Sequence, residues 1–311
     1  MLVIITPNPA LDRTLVFQGL RLGAVHRTDD VLLAAGGKGL NVARAARTLG
    51  QPALICAPIG GHTGELVAQL AIAEGLVGRW TRHAAGETRS CVLVVDSTAD
   101  DATVLNEAGP KLAPADWAAF AADVRAVVGT ASLCVLSGSL PPGVAPAELG
   151  ALVGELTGSG RRLIVDSSGA ALEACLAARP WGVKVNGAEL GAALGRPVED
   201  VAGAVAALGE LLWEGLGLAA VSLGSQGCVA ASHYGTWWAR PPQTRVVSTV
   251  GSGDSLLAGL ATGLLRGLPL PEALRLGVAC GTADALTVGG GCIELPMVEA
   301  LRPQVEVLAV G

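Results

Sequence analysis

Short apolar runs alternate with amphipathic stretches along most of this 311-residue chain. Runs such as 2–5 and 163–165 contain only Leu, Ile and Val, which is typical of parallel strands buried on both faces. The stretches between them carry apolar residues at helical spacing. Strands are predicted at about 2–6, 53–57, 132–136, 162–166, 182–185, 218–222, 227–231 and 236–240, and helices at 41–49, 64–74, 114–128, 146–157, 169–178, 253–265 and 271–287, with more from 188 and 201. This alternation predicts an α/β fold with a mostly parallel sheet and helices on both faces.

One part of the chain departs from the alternation. The apolar runs 91–95 and 102–105 flank turn-forming residues at 96–101, which predicts a β-hairpin. Short strand-like pieces also lie near 14–17 and 31–34. We expect a small β lid within a single domain (1–311), with strands drawn from about 12–35 and 88–107.

The composition is unusually apolar, with 51% hydrophobic residues and a mean hydropathy of +0.52. A membrane-spanning helix needs about 20 consecutive apolar residues. The longest stretch without a charged side chain, 215–239, is interrupted by Gly, Ser and Gln and alternates like strands. We therefore expect no membrane span. The net charge of −6 disfavours a nucleic-acid surface, so an anionic ligand needs a local cluster of donors.

The seven cysteines are odd in number and form no Cys-x-x-Cys pair. This spacing favours reduced thiols in a protein core over disulfides or structural zinc. The N-terminus shows no basic segment followed by an apolar one, and strand-like residues begin at Leu2. Both observations predict a cytoplasmic protein.

A glycine-rich segment opens the helix predicted at 253–265. Gly251 and Gly253 let the backbone form a nest of N–H groups that, with the helix N-terminus, binds an anion. Asp254 follows in the first turn, where the helix dipole favours its ionised form. A carboxylate beside an anion site suits a base that takes a proton from a hydroxyl attacking a phosphoryl group. The alternative is a glycine-rich helix start with an acidic cap.

A second glycine-rich segment, residues 36–41, reads Gly-Gly-Lys-Gly-Leu-Asn. It lacks the Gly-Lys-Ser/Thr ending of a P-loop, so the pattern does not favour a P-loop NTPase. Its glycines let a ligand approach the backbone, and Lys38 and Asn41 offer donors to a sugar or a phosphate. The alternative is a glycine turn closed by a solvated lysine.

A third polar segment follows the strand predicted at 182–185. Asn186 and Glu189 lie three residues apart at a helix start, hence on one face, and Glu189 could hold Mg²⁺ through water. Lys184, one of only three lysines among 21 basic residues, could meet phosphate. A capping box formed by Asn186 and Glu189 explains the same spacing. The glycines at 222–227 would admit a nucleotide or form only a hairpin turn.

In this order along the chain, the motifs resemble the phosphofructokinase B branch of the ribokinase family. The matching segments are 8–12, 36–42, 86–89, 137–143, 166–169, 184–189, 222–227 and 249–254. They cover nearly the whole chain, and their shared order makes the resemblance specific. It implies a ribokinase-like (Rossmann-like) core, a β lid that joins two subunits into a homodimer, and phosphorylation of a sugar by ATP and Mg²⁺. It leaves open whether a monovalent cation activates the enzyme.

The resemblance also implies roles for individual residues. Asp254 would be the catalytic base, and Gly251, Ser252 and Gly253 would form the anion hole. The residues implied to bind the sugar are Asp12, Gly37, Asn41 and Ser137, and those implied to grip a phosphate already on it are Arg27, Lys38 and Arg89. The residues implied to serve the nucleotide side are Lys184, Asn186, Glu189, Ser222, Gly224 and Gly227, with Glu189 holding Mg²⁺ through water.

A basic grip implies a ketohexose phosphate as substrate, with fructose 1-phosphate as the first candidate. Tagatose 6-phosphate and fructose 6-phosphate are alternatives, because Val185 and Ser252 replace the commoner Pro and Ala and blur the assignment. A non-catalytic sensor of sugar phosphates or nucleotides is more remote, since a sensor has no need for Asp254 beside an intact nest. An NAD-dependent oxidoreductase is disfavoured because no Gly-x-Gly-x-x-Gly follows the first strand.

Overall fold

The computed structural model describes residues 1–98 and 101–310. Its strands are β1 (Leu2–Ile5), β2 (Ala10–Phe17), β3 (Val31–Gly36), β4 (Ala53–Gly60), β5 (Val77–His83), β6 (Arg89–Asp96), β7 (Asp101–Asn106), β8 (Leu133–Ser137), β9 (Leu163–Asp166), β10 (Gly182–Asn186), β11 (Leu218–Ser222), β12 (Cys228–Ser232), β13 (Gly235–Arg240) and β14 (Glu306–Ala309). Its α-helices are α1 (Lys38–Thr48), α2 (Gly61–Ala73), α3 (Pro114–Val128), α4 (Pro146–Gly158), α5 (Gly169–Ala177), α6 (Gly187–Leu194), α7 (Val201–Trp213), α8 (Ser252–Leu265), α9 (Leu270–Asp284) and α10 (Leu295–Leu301).

The strands form two sheets. The large sheet has the order β14-β13-β12-β11-β10-β9-β8-β1-β4-β5. Within it, β5, β4, β1, β8, β9, β10 and β11 run parallel, and β12, β13 and β14 are each antiparallel to the strand before. The small sheet has the order β3-β2-β6-β7, and its β6–β7 hairpin was predicted from the sequence. Residues 99 and 100 of the predicted turn lie outside the described residues. The α/β fold with a mostly parallel sheet is confirmed.

The helices cover both faces of the large sheet because its central strands are apolar on both sides. Leu2 and Ile4 of β1 pack into a core with α1, α8 and α9. Val3 and Ile5 point the other way, into a core that contains Trp117 of α3 and residues of α4. Successive side chains of a strand point to opposite faces, so a short run of apolar residues supplies both cores.

The helices α8 and α9 approach each other backbone to backbone. A Cβ atom on Gly259 would lie 2.8 Å from the Cα of Gly277, and one on Gly263 would lie 2.7 Å from the Cα of Ala273. A Cβ on Gly281 would lie 2.9 Å from the carbonyl oxygen of Ser252, in the first turn of α8. A side chain at any of these glycines would push the two helices apart.

Some element predictions were wrong. The edge strands β5 and β14 and the short helix α10 were missed, since β5 carries two arginines and a histidine and reads as a polar loop. Helix α1 begins at Lys38, three residues earlier than predicted. Helix α9 ends at Asp284 and not at 287, because the Thr287 hydroxyl donates to the Asp284 carbonyl (2.9 Å) where the chain turns.

Candidate active site

A cleft of about 1330 Å³ lies between the small sheet and the carboxyl ends of the parallel strands, the usual place for ligands in open α/β sheets. Most of the site residues proposed from the sequence line it. They are Asp12, Gly37, Lys38, Asn41, Arg89, Lys184, Asn186, Glu189, Ser222, Gly224, Gly227, Gly251, Ser252, Gly253 and Asp254. The fold thus brings together residues that are more than 200 positions apart in the chain.

Asp254 lies in the first turn of α8, at the floor of the cleft. The helix begins after Gly251, whose φ of 92° favours glycine, and a Cβ there would lie 2.3 Å from the Cα of Gly290. The Asp254 side chain is buried, and its Oδ2 accepts a hydrogen bond from the Asn41 amide (2.9 Å). The carboxylate and the glycine nest are therefore held next to each other, as the sequence pattern predicts.

The environment of Asp254 makes it a stronger base than an exposed aspartate. Burial, and after it the negative charge of Asp166, raises the pKa of Asp254 from 3.8 to about 7. The Lys38 ammonium, the Asn41 hydrogen bond and Lys184 act in the opposite direction. A carboxylate with a pKa near neutrality is suited to accept a proton during catalysis.

Two lysines converge on one buried carboxylate beside Asp254. Lys38 and Lys184 each donate from Nζ to Asp166, at 2.8 Å, and Asp166 is fully buried at the end of β9. Burial opposes the ionisation of Asp166, but the charges of Lys184 and Lys38 outweigh it and hold the pKa of the carboxyl below its usual range. A Cβ on Gly253 would lie 2.9 Å from the Lys184 Nζ, so this ammonium lies against the glycine nest. We call Lys38, Asp166 and Lys184 the charged triad.

Glu189 joins the charged triad to the start of α6. Its Oε1 accepts from Lys38 (3.3 Å), and its Oε2 accepts from the backbone N–H of Asn186 (2.9 Å). The Asn186 side chain accepts in turn from the backbone N–H of Glu189 (2.8 Å). The capping box that the sequence left as an alternative is therefore present, and the Glu189 side chain still faces the cleft.

The other side of the cleft is built by the small sheet. Asp12 on β2 accepts a long hydrogen bond from the backbone N–H of Gly37 (3.4 Å), and burial raises the pKa of Asp12 to about 6. Arg89 at the start of β6 donates to the carbonyl of Asn8 from Nε (3.3 Å) and Nη2 (3.1 Å). Arg89 also donates to the carbonyl of Glu107 (3.2 Å). These bonds hold the guanidinium in place, and Arg89 lines the cleft.

Two residues proposed from the sequence do not line the cleft. Ser137 is fully buried as the last residue of β8, whereas Ser139, two residues further along, lines the cleft and accepts from the Asn8 amide (3.1 Å). Arg27 lies in an exposed loop between β2 and β3. In this turn it is Ser139 that lines the cleft, and the loop that holds Arg27 does not line it, so the roles of Ser137 and Arg27 stay predictions.

Two further residues lie at the site although the sequence did not predict a role for them. Asp166 belonged to a motif but was given no role, because its partners lie on α1 and β10. Arg44 lines the cleft one helical turn after Asn41, and that spacing of three residues was an available signal. The residues next to Asp166, in contrast, carry no pattern that names its lysine partners.

Two of the seven cysteines, Cys91 and Cys292, line the cleft. All seven are free, as predicted, and burial raises the pKa of the Cys228 thiol to about 12, which keeps it protonated. Within residues 1–98 and 101–310, no group of three or more His, Cys, Asp and Glu side chains is arranged to hold a metal ion. The same described part of the chain contains no helix that is both long and apolar enough to cross a membrane.

Comparisons with known proteins agree with this geometry. The model of the pfkB family carbohydrate kinases matches residues 8–295. A 1-phosphofructokinase of Rhodobacter capsulatus is 39% identical over 88% of this chain and 86% of its own length, and one of Vibrio cholerae is 33% identical over 99% and 96%. The crystal structure of phosphofructokinase-2 from Escherichia coli in complex with potassium superposes with a TM-score of 0.91, at 30% identity over 97% of this chain and 98% of that one. The chain therefore belongs to the pfkB family of carbohydrate kinases and is an ATP-dependent sugar kinase.

Proposed function

We propose that the enzyme transfers the γ-phosphate of ATP to a hydroxyl of fructose 1-phosphate and forms fructose 1,6-bisphosphate. The observation that carries this proposal is the position of Asp254, which lies between the sugar-side residues of the small sheet and the charged triad. The names of the relatives from Rhodobacter capsulatus and Vibrio cholerae support fructose 1-phosphate. Fructose 6-phosphate and tagatose 6-phosphate are the alternatives, and the similarity to phosphofructokinase-2 of Escherichia coli in complex with fructose 6-phosphate favours the first of them.

In this proposal Asp254 takes the proton of the attacking hydroxyl as the new bond to phosphorus forms. Asn41 holds the carboxylate of Asp254, and with Asp12 it binds hydroxyls of the sugar. The backbone N–H groups at 251–253 and the ammonium of Lys184 lie where negative charge builds up on the transferred group. Transfer in line with the leaving oxygen then needs little movement of the protein.

The nucleotide occupies the part of the cleft next to Ser222, Gly224 and Gly227 in this proposal. The carboxylate of Glu189, which lines the cleft, fits Mg²⁺ as well. Mg²⁺ keeps most of its waters and binds one or two carboxylates plus phosphate oxygens. Glu189 would hold the ion through water. When bound, Mg²⁺ would neutralise charge on the phosphates.

We also propose that a monovalent cation activates the enzyme, because the similar E. coli structure is a complex with potassium. Comparing activity in K⁺ and tetramethylammonium buffers tests this proposal.

The test of the proposed function is a comparison of kcat/KM with ATP and Mg²⁺ for fructose 1-phosphate, tagatose 6-phosphate, fructose 6-phosphate and fructose. We expect fructose 1-phosphate to be preferred at least about tenfold, which corresponds to about 1.4 kcal/mol of transition-state stabilisation. A preference for one of the other phosphosugars would replace the substrate but keep the reaction. If the protein phosphorylated none of the four sugars, the result would favour a non-catalytic sensor of sugar phosphates or nucleotides.

A prediction for Arg89 tests the phosphate grip. Replacing Arg89 with Leu should raise the KM for fructose 1-phosphate at least about tenfold and change the KM for fructose much less, because only the phosphosugar carries the anion. The matched control is Arg82→Leu, which removes an exposed guanidinium paired with Glu65 outside the cleft. Equal changes in KM for both sugars would contradict a phosphate contact at Arg89.

The proposal includes a homodimer joined through the small sheet. Its support is a set of exposed apolar side chains on β3 and β7: Val31, Leu32, Leu33, Val104 and Leu105. β3 and β7 are the two edge strands of the small sheet, and exposed apolar patches mark interaction surfaces. Light scattering at micromolar concentration should give twice the mass of 31.0 kDa, and a monomer would contradict the dimer.

We also propose that the enzyme is cytoplasmic, which its seven free cysteines support.

A further inference from the structure

The Arg44 side chain connects four parts of the fold behind the active site. It is 10% exposed and donates from Nε to Glu74 at the end of α2 (2.7 Å). Its Nη2 donates to the carbonyl of Ala35 at the end of β3 (2.5 Å). Its Nη1 donates to the carbonyl of Gly290 (2.6 Å) and to the side-chain oxygen of Asn41 (3.1 Å). Every nitrogen of the guanidinium is therefore occupied.

These bonds decide which way the Asn41 amide faces. A guanidinium can only donate hydrogen bonds, so the atom of Asn41 that meets Arg44 must be the oxygen. The NH₂ group then points to the opposite side, where it donates to Oδ2 of Asp254 (2.9 Å). The reverse orientation would face the amide oxygen to a carboxylate and the NH₂ group to a guanidinium, and both contacts would be repulsive.

The loop around Gly290 closes the amide in. A Cβ atom on Gly290 would lie 2.5 Å from Nδ2 of Asn41, so the loop touches the amide directly. Arg44 holds the carbonyl of that same glycine. Loss of Arg44 would therefore free both the amide and the loop that covers it.

We propose that Arg44 is a positioning residue for phosphoryl transfer, which keeps the NH₂ group of Asn41 on the carboxylate of Asp254. This inference rests on the proposed role of Asp254 as the base. A donor that is held in place favours the ionised carboxylate and also orients its free oxygen toward the substrate hydroxyl.

Other charged groups also act on Asp254, and they stay in place when Arg44 changes. Lys38 on α1 and Lys184 on β10 favour its ionised form, whereas Asp166 on β9 opposes it. Asp284 on α9 is buried nearby and accepts from the Ser255 hydroxyl (3.0 Å). If Arg44 is the only residue substituted, a change in the pKa of Asp254 therefore reports on its hydrogen bond from the Asn41 amide.

A purely structural role for Arg44 is the competing interpretation, because the side chain also pairs with Glu74. The two interpretations differ in what happens when Asn41 is absent. A positioning residue loses its effect on catalysis once the group that it positions is gone, whereas a structural residue keeps its effect.

The experiment uses Arg44→Lys, which keeps the charge but cannot make the forked set of bonds, in the wild-type and Asn41→Ala backgrounds. We expect kcat to fall about tenfold or more in the wild-type background and less than about twofold in the Asn41→Ala background, with the KM for ATP nearly unchanged. The matched control is Arg275→Lys, which changes a partly buried arginine bound to Glu272 and to a backbone carbonyl outside the cleft. Thermal unfolding of each variant measures the structural cost separately.

A second readout does not depend on phosphoryl transfer. The pKa of Asp254 is followed by NMR on protein labelled with ¹³C at the aspartate carboxyl groups, with Asp254→Asn identifying the signal. We expect Arg44→Lys to raise this pKa by about one pH unit. Equal fold-changes in kcat in the two backgrounds, or an unchanged pKa of Asp254, would overturn the proposal. Should the wild type phosphorylate no sugar while the pKa responds, the proposed function fails and the positioning of Asn41 stands.

Discussion

Replacing Asp254 with Asn should lower kcat by about 10²–10⁴ and leave the affinity for ATP nearly unchanged. The amide has nearly the shape of the carboxylate but cannot take a proton, so the attacking hydroxyl stays protonated. Asp254 contacts Asn41 and follows the glycine nest, and in the proposed arrangement it acts on the sugar hydroxyl and not on the nucleotide. The loss should therefore appear in the transfer step, measured as single-turnover phosphorylation at saturating ATP.

The control for this prediction is Asp123→Asn, because Asp123 is a partly buried aspartate bound to Arg79 and Thr81 outside the cleft. Its kcat should stay within about twofold of the wild type. If Asp254→Asn turned over as fast as this control, Asp254 would have no part in proton transfer.

The pKa of Asp254 also fixes the direction of the pH dependence. The carboxyl must be ionised to act as a base, and burial raises its pKa to about 7. The value of kcat/KM should therefore fall about tenfold for each pH unit below 7 and level off above it. In the Asp254→Asn variant, kcat/KM should not show this fall below pH 7.

Replacing Asp166 with Asn should destabilise the protein by about 3–5 kcal/mol, because it leaves Lys184 buried without its counter-charge. Lys184 is 3% exposed and Asp166 is fully buried, so water cannot replace the lost ion pair. Urea unfolding at pH 7 measures the change in the free energy of unfolding. The neighbouring Lys38 would keep Glu189 as a partner.

The pH dependence of this effect has a definite sign. The lysines hold the folded pKa of Asp166 below its unfolded value, so the carboxylate stabilises the fold above that unfolded value and the contribution is lost as the pH falls through the folded pKa. The difference between wild type and Asp166→Asn should thus shrink below about pH 4. The exposed pair Arg125–Glu155 offers the control Glu155→Gln, which should cost less than about 1 kcal/mol. Equal costs for both substitutions would contradict a buried ion pair between Asp166 and Lys184.

The sequence could predict the parts of the site that depend on backbone geometry. Glycines at 251 and 253 beside Asp254 indicated either an anion nest with a carboxylate or a glycine-rich helix start, and the structure places Gly251, with φ 92°, directly before the first turn that holds Asp254. The alternation of apolar runs likewise predicted the parallel sheet, since both faces of its strands must be buried. These features are local, so a single chain is enough to find them.

The parts that were missed depend on partners far along the chain. Asp166 and Lys38 are 128 residues apart, and Arg44 and Gly290 are 246 apart. No helical or strand period connects such positions. Ser137 was predicted at the site whereas Ser139 lines the cleft, because only the exact end of β8 decides which serine faces the cleft.

The close contact between α8 and α9 has a consequence for how the enzyme moves. Two helices whose backbones meet at glycines leave no space for a side chain between them. We therefore expect Asp254 and the glycine nest, at the start of α8, to keep their position against α9 when the cleft opens or closes. Any such movement would then belong to the small sheet, formed by β2, β3, β6 and β7.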